Sequence, residues 1–414
     1  MAILMKKSVG IVGVLLVLIM ARPSAASEVL EEVFVKGTPV VNIRYRMESV
    51  DQEGIDRNAL ASTLRTKLGY KTGAYKGFSG YIELENSFVI GAEKYNDTLN
   101  GKSQYPVVAD PASTEMNQIY LQYKGAQGLW ARVGRQGINI GTQRYVGTVG
   151  WRQNDQTFDA VGFGYKKAKV SASYYYVWNV NRIFSSDSPV GDFKTKTQIA
   201  NASYSFSPLV KAEVNALFID LDTDIANVNR GLSSKTYTVG LSGAGDFSSS
   251  VKAGYVIEVG SQSDYATSQF EYKASYSNIE FFAKSNGVTV KIGQEVLGSD
   301  NGKSFATPLA TLHKFNGFSD KFLSTPASGL KDRYVKIDYI LSANSGWLKG
   351  TKLIATYHDF KSDVNEIDYG SEWNFVANKK LSTSFGLNLK AAFYNSKGHA
   401  TDTTKLWATL SYSL

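Results

Sequence analysis

The sequence predicts an all-β chain, a transmembrane antiparallel β-barrel of about 18 strands with long outer loops folding toward the lumen. Three observations carry that expectation. Apolar residues recur at every second position through most of the chain, with polar or charged residues between them. An export leader precedes the alternating region. Connections between the alternating segments are short and long by turns, as the two rims of a barrel require.

The leader comes first. Lys6 and Lys7 precede Val9–Met20, an apolar stretch of about a dozen residues, too short to cross a bilayer as a helix. Ser24-Ala25-Ala26 then supplies the small residues of a cleavage site. The expected organisation is a signal peptide, 1–26, and one barrel domain, 27–414. Losing Lys6, Lys7 and Arg22 takes the formal net charge from +8 to +5. No later run of 18 apolar residues predicts a membrane helix. The chain has no cysteine, which excludes disulfides, thiolate metal sites, thiol nucleophiles and cysteine-linked lipid.

The first strand sets the pattern. Val41, Ile43, Tyr45 and Met47 alternate with Asn42, Arg44, Arg46 and Glu48, giving one apolar and one strongly polar face. A soluble sandwich buries its apolar face in a thin core. A membrane barrel instead turns that face to lipid and the polar face to a wet lumen, in segments of about ten residues. The same alternation places segments near 38–49, 58–72, 78–90, 116–125, 128–137, 158–167, 169–181, 195–206 and 209–221. It continues near 234–244, 249–260, 265–284, 287–297, 331–343, 351–361, 366–378, 382–395 and 404–414. In 265–284 the apolar face runs Phe270, Tyr272, Ala274, Tyr276 and then changes parity to Ile279, Phe281, Ala283, which predicts one long strand with a bulge.

The short connections fall at Thr72–Gly77, Gly125–Gly128, Lys166–Lys169, Ser207–Leu209, Ser285–Gly287, Asn344–Gly350 and Asn378–Leu381. The long ones fall at 91–115, 138–157, 182–194, 222–233 and 298–330, and both termini lie on the short-turn side. Tyr174–Trp178, Trp373, Phe375 and Trp407 are expected to form aromatic girdles at the membrane interface.

Several motifs imitate catalytic or binding signatures. Glu31–Gly37 is like a TonB box, but the first strand begins at once and leaves no room for a plug domain. Gly298–Ser304 has three residues between its glycines where a P-loop needs four. Asp220, Asp222 and Asp224 begin a calcium-loop pattern that lacks its later glycine and glutamate. His313, His358 and His399 are scattered, with no metalloprotease or nucleophile-elbow motif. The reading is not an enzyme, with no cofactor, no metal and no nucleic-acid partner.

Charged residues lie along the polar strand faces. The pore-lining candidates are Arg44, Arg46, Arg65, Lys67, Glu83, Glu85, Arg132, Lys336, Asp338 and Glu372, joined by Lys252, Lys273, Lys291, Lys390, Glu48, Glu213, Glu258 and Glu271. Loops 138–157 and 298–330 hold Tyr145, Trp151, Leu309, Leu312, Phe315, Phe318 and Phe322, which need cover. Such loops are expected to fold into the barrel mouth, with Arg135, Arg144, Arg152 and Asp155 as constriction candidates.

Gly134–Gly147, continuing through Trp151–Asp159, and Gly293–Gly298 with Phe305–Phe322 resemble the alginate-export family of outer-membrane proteins. The resemblance implies an eighteen-stranded barrel, in agreement with the independent strand count. The lumen read here is mixed in charge, whereas the alginate exporter's is strongly basic. The expected function is an outer-membrane porin of a Gram-negative bacterium, passing small hydrophilic and anionic solutes by diffusion. A dedicated channel for an acidic polysaccharide and a closed barrel serving as adhesin or structural protein are the alternatives. Expected partners are outer-membrane lipid, the solutes and the barrel-assembly machinery. The long charged loops point to a monomer.

Overall fold

The computed structural model describes Ser27, Val29 and residues 31–222 and 231–414. The signal peptide and Asp224 of the calcium-like loop lie outside these residues. Eighteen long strands account for most of the described chain. They are β1 (Thr38–Gln52), β2 (Ala59–Lys71), β3 (Phe78–Lys94), β4 (Ser113–Lys124), β5 (Leu129–Gln136), β6 (Thr157–Lys167), β7 (Val170–Asn181), β8 (Asp192–Ser207) and β9 (Val210–Ile219). The second half comprises β10 (Ser234–Asp246), β11 (Lys252–Asp264), β12 (Lys273–Ser285), β13 (Val288–Leu297), β14 (Leu330–Ile340), β15 (Lys352–Lys361), β16 (Asp368–Lys380), β17 (Phe385–Ser396) and β18 (Thr403–Ser413).

Each strand pairs antiparallel with its neighbours in sequence, and β1 pairs with β18 from Asn42↔Ser413 to Gln52↔Thr403. The sheet is therefore a closed barrel without an edge, so its strands pair on both sides in a medium that offers no hydrogen bonds. The termini meet at this seam on the short-turn rim, where Leu414 donates its backbone N–H to the Val41 carbonyl.

The outer face is apolar and uncovered. Leu68, Ile82, Leu84, Phe163, Val239, Phe281, Ile292, Val335 and Trp373 all stand exposed on it. That arrangement suits a hydrocarbon solvent, since water would penalise so much contiguous apolar area. The inner face of the same strands carries the buried charges, among them Arg46, Glu48, Arg65, Lys67, Glu83, Glu85 and Glu372.

A second apolar region lies inside the upper barrel. Ile138, Ile140, Tyr145, Val146, Phe305, Leu309 and Phe322 come from two loops and pack on inward residues such as Phe158, Tyr276, Phe360 and Tyr394. This inner core explains three departures from the sequence expectation. The segment 265–284 is not one bulged strand: β12 begins at Lys273 and pairs regularly on both sides. Tyr272, Ala274 and Tyr276 are buried inside the barrel under the loops, so the parity is constant and no bulge is needed. Lys273 consequently faces outward, and Glu271 lies in the upper connection outside the strands. Trp407 is not an interface residue either. It shares the inner face with Lys405 and Thr409 and is 3% exposed, while its neighbour Leu406 faces lipid. Tyr175 also turns inward, against Trp130, whereas Trp178, Trp373 and Phe375 lie on the outside.

Candidate functional site

The loops joining β5 to β6 (residues 137–156) and β13 to β14 (298–329) fold into the lumen and bind each other. Val146 and Leu309 form a parallel bridge. The backbone N–H groups of Gly147 and Thr311 donate to the carbonyls of Leu309 and Gln143, at 2.9 and 3.1 Å. The buried Gln156 amide donates to both the Gly147 and Leu309 carbonyls. The two loops are thus one body, called the insert below.

The insert reaches far down the wall. Arg44 on β1 donates to the Gly150 carbonyl at 2.7 Å, to Gln153 Oε1 at 3.0 Å and to the Arg152 carbonyl. Arg44 is eight residues below the upper end of β1, or roughly 26 Å along the strand. The insert meets the wall in three charged clusters.

The first lies across the barrel seam. Arg152 donates to Glu48 at 3.0 Å and lies 3.6 Å from Asp110 and 3.4 Å from Asp320. Asp320 also accepts from Lys405 at 2.9 Å and pairs with the His313 imidazole at 2.7 Å. Arg46 lies 3.8 Å from Asp110, with its guanidinium 4.0 Å from the centre of the Trp151 ring. Ser319 donates its N–H to Glu372 at 2.9 Å. Gly317 makes that approach possible: its φ is +87°, and a Cβ there would lie 2.5 Å from the Glu372 carboxylate. Burial opposes charge on both loop partners, but the pairing wins. The carboxylates hold the Arg152 guanidinium above its ordinary range, and His313, Lys405 and Arg152 hold Asp320 well below its own.

The second cluster is on β2 and β3. Asp155 pairs with Lys67 and lies 3.5 Å from Arg65, while Lys67 also reaches Glu85 at 3.0 Å. The Asp155 N–H donates to Glu85 at 3.0 Å. Burial would raise the Asp155 carboxyl, yet Lys67 and Arg65 lower it. The third cluster is on the opposite wall. Arg144 donates to Glu295 at 2.7 Å and to Asn316 at 3.3 Å, and Asn316 donates on to Asp332 at 3.1 Å. Asp332 pairs with His358 at 2.9 Å, and Tyr145 donates to Glu258 at 3.0 Å.

The remaining candidates have other neighbours. Glu83 accepts from Asn117, Gln118 and Tyr81. Arg132 donates to Gln122 and lies 4.3 Å from the Tyr120 ring centre. Asp338 pairs with Lys352 at 2.9 Å and more loosely with Lys336, at 3.9 Å. Arg135 does not face the lumen. It stands opposite Ile119 on the outward row of Ile82 and Val133, and pairs with Asp159 at 2.8 Å. Arg132 and Arg135 are three positions apart on one strand, and an odd separation puts them on opposite faces. Asp110, Asp320 and Lys405 were missed by sequence reading. No local pattern marks them, because Asp110 and Asp320 lie in long loops and meet Arg46, Arg152 and Lys405 only in the folded barrel.

Space remains beside the insert. A cavity of about 390 Å³ lies between residues 314–318 and the wall of β12–β15, lined by Glu280, Lys291, Glu295, Asp332, Lys336 and His358 among others. A second, of about 280 Å³, lies against β9–β11 and is lined by Lys211, Glu213, Asn215 and Glu258.

The family model for alginate export matches residues 41–277, more than half of the chain. Solved structures share the fold at low identity. OccAB4 of Acinetobacter baumannii aligns with a TM-score of 0.71 at 13% identity, covering 91% of this chain and 98% of its own. OpdO of Pseudomonas aeruginosa gives 0.69 at 14%, covering 93% and 98%. OccK9 (OpdG) of the same species gives 0.69 at 16%, covering 92% and 98%. No curated protein sequence matches significantly.

Proposed function

Since this chain belongs to the alginate export family, we propose that it is an outer-membrane porin through which small hydrophilic solutes, anions preferred, diffuse passively. The carrying observation is a closed 18-stranded barrel whose lumen keeps polar cavities beside an in-folded insert. A barrel of this strand number is wide enough for an aqueous channel, and in-folded loops set its cross-section. Passage involves no covalent step. The N-terminal leader is cleaved on export, the barrel resides in the outer membrane of a Gram-negative bacterium, and it acts as a monomer.

Anion preference rests on the lower rim. By strand parity Lys71, Lys124, Lys166, Lys252, Lys284 and Lys380 lie on the inner face there, and all are exposed. None forms an ion pair among the described residues. Toward this rim two lysine pairs stand directly opposite one another in the ladder, Lys252↔Lys284 and Lys291↔Lys336. Like charges in that relation destabilise a sheet. Their retention makes sense where the resulting field acts on a solute. Lys291 is compensated by Glu280 at 2.7 Å, whereas Lys284 and Lys252, which also stands opposite Asp246 in the β10–β11 ladder, form no ion pair among the described residues.

A bilayer recording in a salt gradient tests this reading. An anion-selective reversal potential is expected, and absence of any conductance would overturn it. The same rim also favours a second reading, an acidic oligosaccharide as the natural solute. Concentration-dependent block by oligouronates but not by neutral oligosaccharides would select it.

A further inference from the structure

The wall lysine Lys390, on β17, has an unusual environment. Its side chain is 9% exposed and forms no ion pair with a carboxylate among the described residues. Its ammonium lies 3.4 Å from the ring centre of Phe318, 3.8 Å from that of Trp151 and 5.3 Å from that of Trp407. Its hydrogen-bond partner is His313 Nε2, at 2.7 Å. Trp151 and Phe318 belong to the two loops of the insert, so the insert brings an aromatic cage and closes it over a wall cation.

His313 completes the cage. Its ring stacks on Trp151 at 4.2 Å and 4°, and on Phe318 at 5.1 Å and 19°. An ammonium has donors and no acceptor, so Nε2 must accept from Lys390 and Nδ1 must carry the proton given to Asp320. With Lys390 charged, this arrangement holds the neutral imidazole. A second proton would go on Nε2, the nitrogen facing Lys390, and would set two cations at hydrogen-bond distance inside an apolar cage.

On the basis of the channel reading above, we propose that His313 is a proton-sensitive latch. Protonation breaks its bond to Lys390, releases the insert from the wall and widens the channel. The groups around the latch come from every neighbouring element: Asp320 and Arg152 from the insert, Arg46 and Glu48 from β1, Glu372 from β16, Lys390 from β17, and Lys405 with Trp407 from β18. Burial, the largest influence, holds the imidazole well below its ordinary range; Asp320 opposes that and Lys390 reinforces it. A docked insert therefore binds the proton less readily than a released one. Docking is fully stable above the ordinary histidine range, about pH 6.5, and weakens as pH falls below it.

The test compares the full-length protein with His313→Gln, which cannot gain a proton, and with Lys390→Met, which keeps the cage filled and removes the opposing cation. Conductance is recorded at about pH 7.5 and about pH 4.5, spanning histidine titration. Hydrogen-exchange protection of amides 310–322 is followed in detergent over the same interval. The latch predicts a severalfold rise in wild-type conductance on acidification with loss of protection, and a much smaller response in both variants. An equal acid response in His313→Gln would assign the effect to Asp320, Glu48 or Glu372 and overturn the proposal, as would unchanged protection in the wild type. A wild type that never conducts but loses protection only when His313 is present would retain the latch and refute the channel.

Discussion

Two sets of inward-facing lysines divide the barrel. Lys67, Lys390 and Lys405 lie beneath the insert, each under 10% exposed and each bonded to a loop side chain. Lys252, Lys284 and Lys380, on the same inner face, stand exposed at the lower rim and form no ion pair among the described residues. Residue type and sheet position are alike, and burial separates their effects. A desolvated cation fixes a structure because losing its partner leaves an uncompensated charge. A solvated cation fixes little and adds to a field that solutes feel.

The largest effect should come from the buried set. Arg152→Ala leaves Glu48, Asp110 and Asp320 buried without their shared counterion, a loss of about 3–5 kcal/mol for comparable buried pairs. The insert should detach, raising single-channel conductance and exposing residues 298–329 to protease. Unchanged conductance and protection would erase the distinction between the two sets. Next comes Lys252→Glu combined with Lys284→Glu. The reversal potential should shift toward cations while thermal stability changes by about 1 kcal/mol or less, as for exposed charges.

Salt offers a finer separation. The rim field should fade between about 0.1 M and 1 M salt, as the screening length falls from ~10 to ~3 Å. Anion preference should weaken over that range, with protease resistance of the insert unaffected. The smallest effect is expected from Arg135→Ala. Its pair with Asp159 is on the outer face, away from the lumen, so no change in conductance or ion preference should follow. A changed reversal potential in that variant would place Arg135 in the lumen after all.

Much of the wall was legible from alternation alone, because lipid and water on opposite faces impose a period of two. The misread positions share a cause. Tyr272, Ala274 and Tyr276 are apolar yet inward, since the insert supplies an apolar environment inside the lumen. A period-two reading assumes that the inner face is wet. Trp407 and Arg135 were in principle readable. Trp407 follows lipid-facing Leu406, and Arg135 is an odd step from Arg132, so parity alone opposes the roles first expected of them. The loops' apolar residues did signal that they need cover. Their partners were hidden, because Asp320 meets Lys405 and Arg152 meets Glu48 only once the barrel has closed.

That dependence bears on the order of assembly. Glu48 belongs to the first strand and Lys405 to the last, and the insert grips both, on either side of the line where the two chain ends join. The clasp has no complete seat until β1 and β18 have zipped together. This part of the docking therefore requires the closed seam, and once made it ties that joint from within.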